Sequence, residues 1–131
     1  MRSNTVTLIG NVEGIPETVP FSNGNRLVIF NLQTKEPRRD KSGKTSERCD
    51  CHRVVCFDAG KGFKLATRAE TLVPGDIVIV QGALRSRIYE HNGRTYFVYE
   101  VEANDFRWLN DSERSDSAAD ETHKSLIQSA R

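Results

Sequence analysis

Long apolar stretches and aromatic side chains are both scarce in this 131-residue chain. Hydrophobic residues make up 37% of it and aromatic residues 8%. No run approaches the roughly 18 apolar residues of a membrane helix. The N-terminal "MRSNTVTLIG" is interrupted by polar residues and precedes no small-residue cleavage pattern, which predicts no signal peptide and a cytoplasmic location. The length predicts one domain, and the low hydrophobic fraction predicts that part of the chain stays outside its core.

Cysteine is equally scarce, and all three thiols fall in the stretch Glu47 to Phe57, "ERCDCHRVVCF". An odd, crowded count does not resemble a disulfide framework. In an extended strand, Cys49 and Cys56 would lie roughly 23 Å apart, whereas zinc holds sulfur ligands at about 2.3 Å. Cys51 and His52 would face opposite sides, so the simplest thiol–imidazole pair is also disfavoured. The stretch is interpreted as a strand without metal or cofactor, and a thiol or metal protein remains an alternative.

Charge is unevenly distributed behind a net value of +1. Residues 1–109 hold 16 Lys/Arg and 13 Asp/Glu, whereas residues 110–131 hold 3 and 5. The segment 35–48 alone carries six basic and three acidic residues. Such a patch is usually a solvated face, and it indicates nucleic acid only when aromatic residues accompany it.

Alternating and turn-rich segments predict an all-β chain with one short helix. The predicted strands are "TVTLIGNV", "RLVIFNLQT", "ERCDCHRVVCF", "IVIVQGALRSRIY" and "YFVYEVEA". A polar loop is predicted at 35–47, a helix within 59–72, and a hairpin turn at Asn92–Gly93. Gly10 and Gly82 are expected at bulges or close approaches. Five strands with a helix between the third and fourth are the layout of an OB-fold, a Greek-key barrel, although other small barrels stay open. The domain is placed at 1–109, and the polar segment 110–131 is predicted to be a disordered tail.

Arginines and flat rings interleave on three of these strands. Arg53 and Phe57 share one face of the third strand, Arg85, Arg87 and Tyr89 follow on the fourth, and Phe97 lies on the fifth. Guanidinium groups neutralise phosphates, and rings stack on unpaired bases at about 1–3 kcal/mol each. The pattern therefore favours a surface for single-stranded nucleic acid, against the alternative that the rings fill the barrel or a subunit interface.

The order and spacing of several segments resemble the bacterial-type single-stranded DNA-binding proteins. The segments are "NTVTLIGNV", "SNGNRLVIFNLQT", "RRDKSGKTSE", "CHRVVCF" and "VPGDIVIVQGALRSRIYEHNGRTYFVYEV", from about Asn4 to Leu109. The resemblance implies an OB-fold homotetramer that binds single-stranded DNA without sequence preference during replication, recombination and repair, with no catalysis. It implies a subunit contact for His52. It implies DNA contacts for the following residues: Lys35, Arg53, Phe57, Arg85, Arg87 and Tyr89. Arg38 and Arg39 of the basic segment and Phe97 of the interleaved pattern are predicted as further DNA contacts.

The chain departs from that family in three places. Cys51 and Pro37 stand where family members usually carry aromatic residues, so we expect binding that depends more on phosphate contacts and on salt. The chain's end, "THKSLIQSAR", lacks the family's acidic Pro-Phe tip, which makes the usual recruitment of replication and repair proteins doubtful. An accessory OB protein of the primosome type, acting mainly through protein contacts, is the alternative.

Overall fold

The computed structural model describes residues 1–59 and 63–109. It contains six strands and one short helix within those ranges. Their bounds are β1 Val6–Pro20, β2 Arg26–Arg39, β3 Thr45–Ala59, β4 Phe63–Lys64, α1 Leu65–Ala69, β5 Ile77–His91 and β6 Arg94–Trp108. No helix in the described ranges is long and apolar enough to cross a membrane.

The five long strands close into a barrel. The sheet runs β2-β1-β5-β6-β3, and an additional β2–β3 pairing joins its ends. Neighbours are antiparallel except β3 and β6, which run parallel at Val54–Val101 and Val55–Glu102. This is the closed Greek-key arrangement of an OB-fold, and it confirms the predicted fold class. The two-residue β4, paired with the end of β3, is an addition that the sequence did not predict.

Alternation along the strands builds the core. Val28, Phe30 and Leu32 of β2 are all buried, as the sequence predicted for one face of that strand. Val54 and Cys56 of β3 and Val78 and Val80 of β5 meet them inside the barrel. Each such side chain contributes about 1.5–3 kcal/mol relative to an exposed one. The barrel is therefore filled by aliphatic residues and Phe30 and Phe106, which leaves most other rings at the surface.

Two glycines permit close backbone contacts within the barrel. A Cβ placed on Gly10 would lie 2.1 Å from the carbonyl oxygen of Gln33, and one on Gly82 would lie 2.1 Å from that of Glu102. The register between β5 and β6 also shifts between Gln81 and Gly82. The predicted irregularity at Gly82 is therefore confirmed as a bulge, and Gly10 is a close approach.

The helix is shorter than the predicted 59–72. It spans Leu65–Ala69, because Phe63 and Lys64 pair with β3 instead. Asp58 of β3 accepts hydrogen bonds from the backbone N–H and the hydroxyl of Thr67, at 3.0 and 2.8 Å. Burial acts to raise the pKa of Asp58, but these hydrogen bonds outweigh it and the pKa is lowered. The carboxylate thereby fastens the helix across one end of the barrel.

Two hairpins extend beyond the barrel as arms. The predicted loop 35–47 is wrong, because β2 continues to Arg39 and β3 begins at Thr45. Asp40 closes the turn by accepting hydrogen bonds from Ser42 and Lys44, and these bonds lower its pKa. The β5–β6 arm ends at Asn92–Gly93, where φ values of 53° and 76° confirm the predicted tight turn. Both faces of the β2–β3 arm meet solvent, so residues 35–39 lack the alternation of apolar residues that predicts a strand. The strands of the β5–β6 arm were predicted from "IVIVQGALRSRIY" and "YFVYEVEA".

Candidate nucleic-acid interface

The outward face of β3 carries the first part of the candidate site. Arg53 and Phe57 are exposed there and alternate with the buried Val54 and Cys56. Val55 shares their face but is covered, and it lies between Ile29 of β2 and Glu102 of β6. Four residues of strand separate the arginine from the phenylalanine by about 13 Å. Cation and ring thus follow one another along a single exposed face.

The β5–β6 arm continues this face. Arg85, Arg87 and Tyr89 stand directly opposite Glu100, Val98 and Tyr96, and cross-strand partners lie on the same side of a sheet. The predicted arginines of β3 and β5 and the predicted Tyr89 are therefore brought together.

Carboxylates on β6 hold these arginines. Glu100 accepts hydrogen bonds from Arg53 at 3.1 Å and from Arg87 at 3.5 Å. Glu102 accepts one from Arg85 at 2.8 Å. The Glu100 side chain is only 14% exposed, whereas the arginines remain about half exposed. Three guanidinium groups against two carboxylates leave a net positive row whose outer N–H groups face solvent.

A hollow of about 330 Å³ opens on this surface, lined by Arg53, Arg87, Tyr89 and Val98. It offers two guanidinium groups for phosphate and one ring for a base. The ring of Tyr89 is itself stacked on Tyr96, with centroids 5.3 Å apart and planes inclined by 20°. Both tyrosines are partly exposed at the end of the arm.

Phe97 is not brought to this surface. It stands opposite Ile88, one position out of step with Tyr89 and Tyr96, and so lies on the other side of the arm. Tyr99, opposite Ser86, shares that side. Their exposures of 63% for Phe97 and 61% for Tyr99 show that nothing in the described structure covers them. The predicted DNA contact of Phe97 would need a second binding face.

The β2–β3 arm divides its predicted basic residues. Counted along the register from Arg53, Lys35 and Arg39 share the outward face, and Arg38 lies on the opposite side. All three are exposed. Pro37 lies between Lys35 and Arg39 on the outward face. The outward face of this arm therefore offers positive charge to a nucleic acid but no aromatic ring.

His52 lies on the inward side of β3, opposite to the side that carries Arg53 and Phe57. It is half-buried, and its Nε2 lies 2.9 Å from the hydroxyl of Thr34. Thr34 in turn adjoins Gly10, because a Cβ on that glycine would lie 3.3 Å from the threonine methyl group. The histidine thus lies near β1 through Thr34, and it also lines a hollow together with Arg53, Leu84 and Tyr99.

The three cysteines occupy one strand, as predicted, in two environments. Cys49 and Cys51 are exposed on the outward face, and Cys56 is buried. Burial raises the pKa of Cys56 to about 12. No group of three or more Cys, His, Asp or Glu side chains within residues 1–59 and 63–109 is arranged to hold a metal ion.

Tyr96, Glu100 and Glu102 are the members of the site that sequence reasoning missed. The signal was available in the turn: a two-residue Asn92–Gly93 loop fixes His91 opposite Arg94 and therefore Tyr89 opposite Tyr96. Counting outward from that turn would also have placed Arg85 opposite Glu100.

Comparison with known proteins identifies the family of this chain. The model of the single-strand binding protein family matches residues 3–109. The chain belongs to this family. The resemblance drawn from the sequence is thereby confirmed.

Relatives and solved structures are similar over most of the chain. A single-stranded DNA-binding protein of Xylella fastidiosa is 32% identical over 107 residues, which cover 81% of this chain and 63% of that protein. Single-stranded DNA-binding protein 1 of Chlorobaculum tepidum is 29% identical over 122 residues, covering 92% and 73%. The Plasmodium falciparum SSB in complex with single-stranded DNA aligns with a TM-score of 0.73 at 27% identity, covering 83% of this chain and 96% of that one. A Thermus aquaticus single-stranded DNA-binding protein aligns at 0.70 and 26%, covering 82% and 50%.

Proposed function

We propose that the outward face of β3 and the outward sides of the two arms form the surface on which this chain binds single-stranded DNA. As a member of the single-strand binding protein family, the chain binds single-stranded DNA and is not an enzyme. The observation that carries the assignment of the surface is the hollow at which Arg53, Arg87 and Tyr89 converge. Every base has a flat face that can stack on a ring, so such a surface binds without sequence preference. Its role is to protect and organise single strands during replication, recombination and repair.

DNA that binds on this surface brings its phosphates to arginines that already contact carboxylates. Arg53, Arg85 and Arg87 hydrogen-bond to carboxylates in the free protein, and each retains further N–H groups for phosphate. When the arginine row neutralises DNA phosphates, counterions condensed on the DNA are released. The affinity for DNA therefore falls as the salt concentration rises. The carboxylates fix the arginines on the outward face and at the same time reduce their net charge.

The assignment is tested by removing the two rings separately. Phe57→Ala and Tyr89→Ala should each weaken binding of labelled oligo-dT about 5- to 150-fold, the equivalent of about 1–3 kcal/mol per stacked base. Tyr99→Ala is the matched control, since it removes an exposed ring from the other side of the β5–β6 arm. Equal losses in all three variants would place the DNA elsewhere.

We also propose that the chain assembles as a homotetramer. Over residues 6–9, β1 pairs with β5 alone, since pairing with β2 begins at Asn11. The outward side of the same strands exposes Ile9 and Ile77. A half-paired strand edge beside exposed isoleucines suits association with another copy. His52 is the predicted subunit contact, and within one copy its Nε2 lies 2.9 Å from the hydroxyl of Thr34.

Light scattering tests the assembly. Ile9→Glu should lower the molar mass in solution below that of the tetramer, because it places a charge in an apolar contact. Ile15→Glu is the control on the same strand, where the side chain is 85% exposed and lies outside residues 6–9. A monomeric mass for the unmodified chain would refute the proposal.

A cytoplasmic location and contacts with replication or repair proteins remain predictions from the sequence. The predicted tail 110–131, including the end that lacks an acidic tip, lies outside the described residues. The alternative of an accessory OB protein predicts a stable complex with a replication protein together with weak DNA binding, which the titrations above would reveal.

A further inference from the structure

We propose that Tyr96 is a positioning residue for DNA binding: it holds the ring of Tyr89 in place so that a base stacks on the ring's other face. The inference rests on the proposed DNA-binding surface, of which Tyr89 is part. It starts from the direct cross-strand pairing of the two tyrosines and from their stacked rings, 5.3 Å apart and inclined by 20°.

The two faces of the Tyr89 ring have different neighbours. Tyr96 covers one of them. The hollow that Tyr89 lines together with Arg53, Arg87 and Val98 does not include Tyr96. In the proposed complex a base enters this hollow beside two guanidinium groups and stacks on the face of the Tyr89 ring that Tyr96 leaves free. Tyr96 acts on the base through Tyr89.

Such support matters because the arm is thin and exposed at this point. The strand residues from Arg85 to Tyr89 are all exposed, so no core fixes their side-chain rotamers. A tyrosine that must be ordered by the incoming base loses rotamer freedom at the moment of binding. A partner ring orders it beforehand. Because Pro37 and Cys51 supply no stacking rings, the pre-ordered Tyr89 carries a larger share of base stacking in this chain.

The test is a double-mutant cycle on affinity for labelled oligo-dT. Tyr96→Leu keeps an apolar side chain but removes the ring, and it should weaken binding about threefold to tenfold, the size of a typical aromatic pair contribution. Tyr96→Phe keeps the ring and should restore the affinity. Tyr99→Leu, a matched tyrosine on the other side of the same strand, controls for general changes in the arm. Thermal melts of each variant confirm that the barrel is folded.

The cycle with Tyr89→Ala decides the mechanism. If Tyr96 works through Tyr89, then Tyr96→Leu has no further effect once Tyr89 is alanine. Additive losses would mean that Tyr96 contacts DNA independently, and unchanged binding of Tyr96→Leu would mean that it has no role; either result overturns the inference. If Tyr89→Ala binds normally while Phe57→Ala does not, the inference fails but the proposed surface on β3 stands.

Discussion

Glu100 provides a sharp test of how the arginine row works. One largely buried carboxylate serves both Arg53 and Arg87, at 3.1 and 3.5 Å. A DNA phosphate bound between these guanidinium groups would be repelled by that carboxylate. At a separation of about 7 Å, two unit charges interact by between about 0.6 and 2.4 kcal/mol for effective dielectric constants of about 80 to 20. Salt screening favours the lower end of that range.

Glu100→Gln removes the charge and keeps an oxygen that can accept the arginine hydrogen bonds. We therefore expect about threefold tighter binding of oligo-dT at low salt, from the lower Coulomb value. The gain should fade as salt rises. Stability should fall by no more than about 1 kcal/mol, since pairs with half-exposed arginines contribute little.

The assay is equilibrium titration of labelled oligo-dT at several salt concentrations, with Glu90→Gln as the control. Glu90 is an exposed acid of the same arm, opposite Thr95 and out of step with Arg87 and Tyr89. Weaker binding of Glu100→Gln at low salt would refute the reasoning. It would show that orienting the two arginines requires the full charge and that this requirement exceeds the repulsion of phosphate.

Two further expectations concern side chains near the interface. Native protein at pH 8 should expose two reactive thiols per chain to a chromogenic disulfide reagent, from Cys49 and Cys51, and three after unfolding, because burial raises the pKa of Cys56 to about 12. Rapid reaction of all three in the native state would contradict the fold of β3. The lowered pKa of Asp58 means that its contribution to stability is complete above the ordinary carboxyl value of 3.8 and is lost as pH falls through the lower folded value. Asp58→Asn should therefore melt at a lower temperature at pH 7, and its melting temperature should fall less on acidification; parallel curves for both proteins would refute this.

The barrel was predictable because its strands have one buried and one exposed face. The alternation of Val28, Phe30 and Leu32 with less buried residues predicts a half-buried strand. The dipeptide Asn92–Gly93 predicts a hairpin turn. The β2–β3 arm was not predictable by the same rule. Lys35 to Arg39 is polar on both sides because both sides meet solvent, so a strand there has the composition of a loop.

The residue types of the candidate site could be predicted from the sequence. The face of the sheet on which each residue lies was harder to predict. Arginines and aromatic rings indicated a nucleic-acid interface. The face on which Phe97 lies depends on the register between β5 and β6, which composition does not reveal. Glu100 of β6 forms ion pairs with Arg53 of β3 and Arg87 of β5, and it thereby links all three strands. The ion pair with Arg53 depends on the parallel pairing of β3 with β6, which closes the barrel. Counting cross-strand pairs outward from the turn could identify Tyr96 as the partner of Tyr89. The contact between Arg53 and Glu100 could be found only from the folded structure.

We propose that this chain selects single strands through exposed rings and an arginine row. The most direct measurement compares binding of labelled oligo-dT with binding of a duplex of equal length over a series of salt concentrations. We expect tight binding to the single strand alone, weakening steeply with salt. Equal affinity for single strand and duplex at low salt would contradict it.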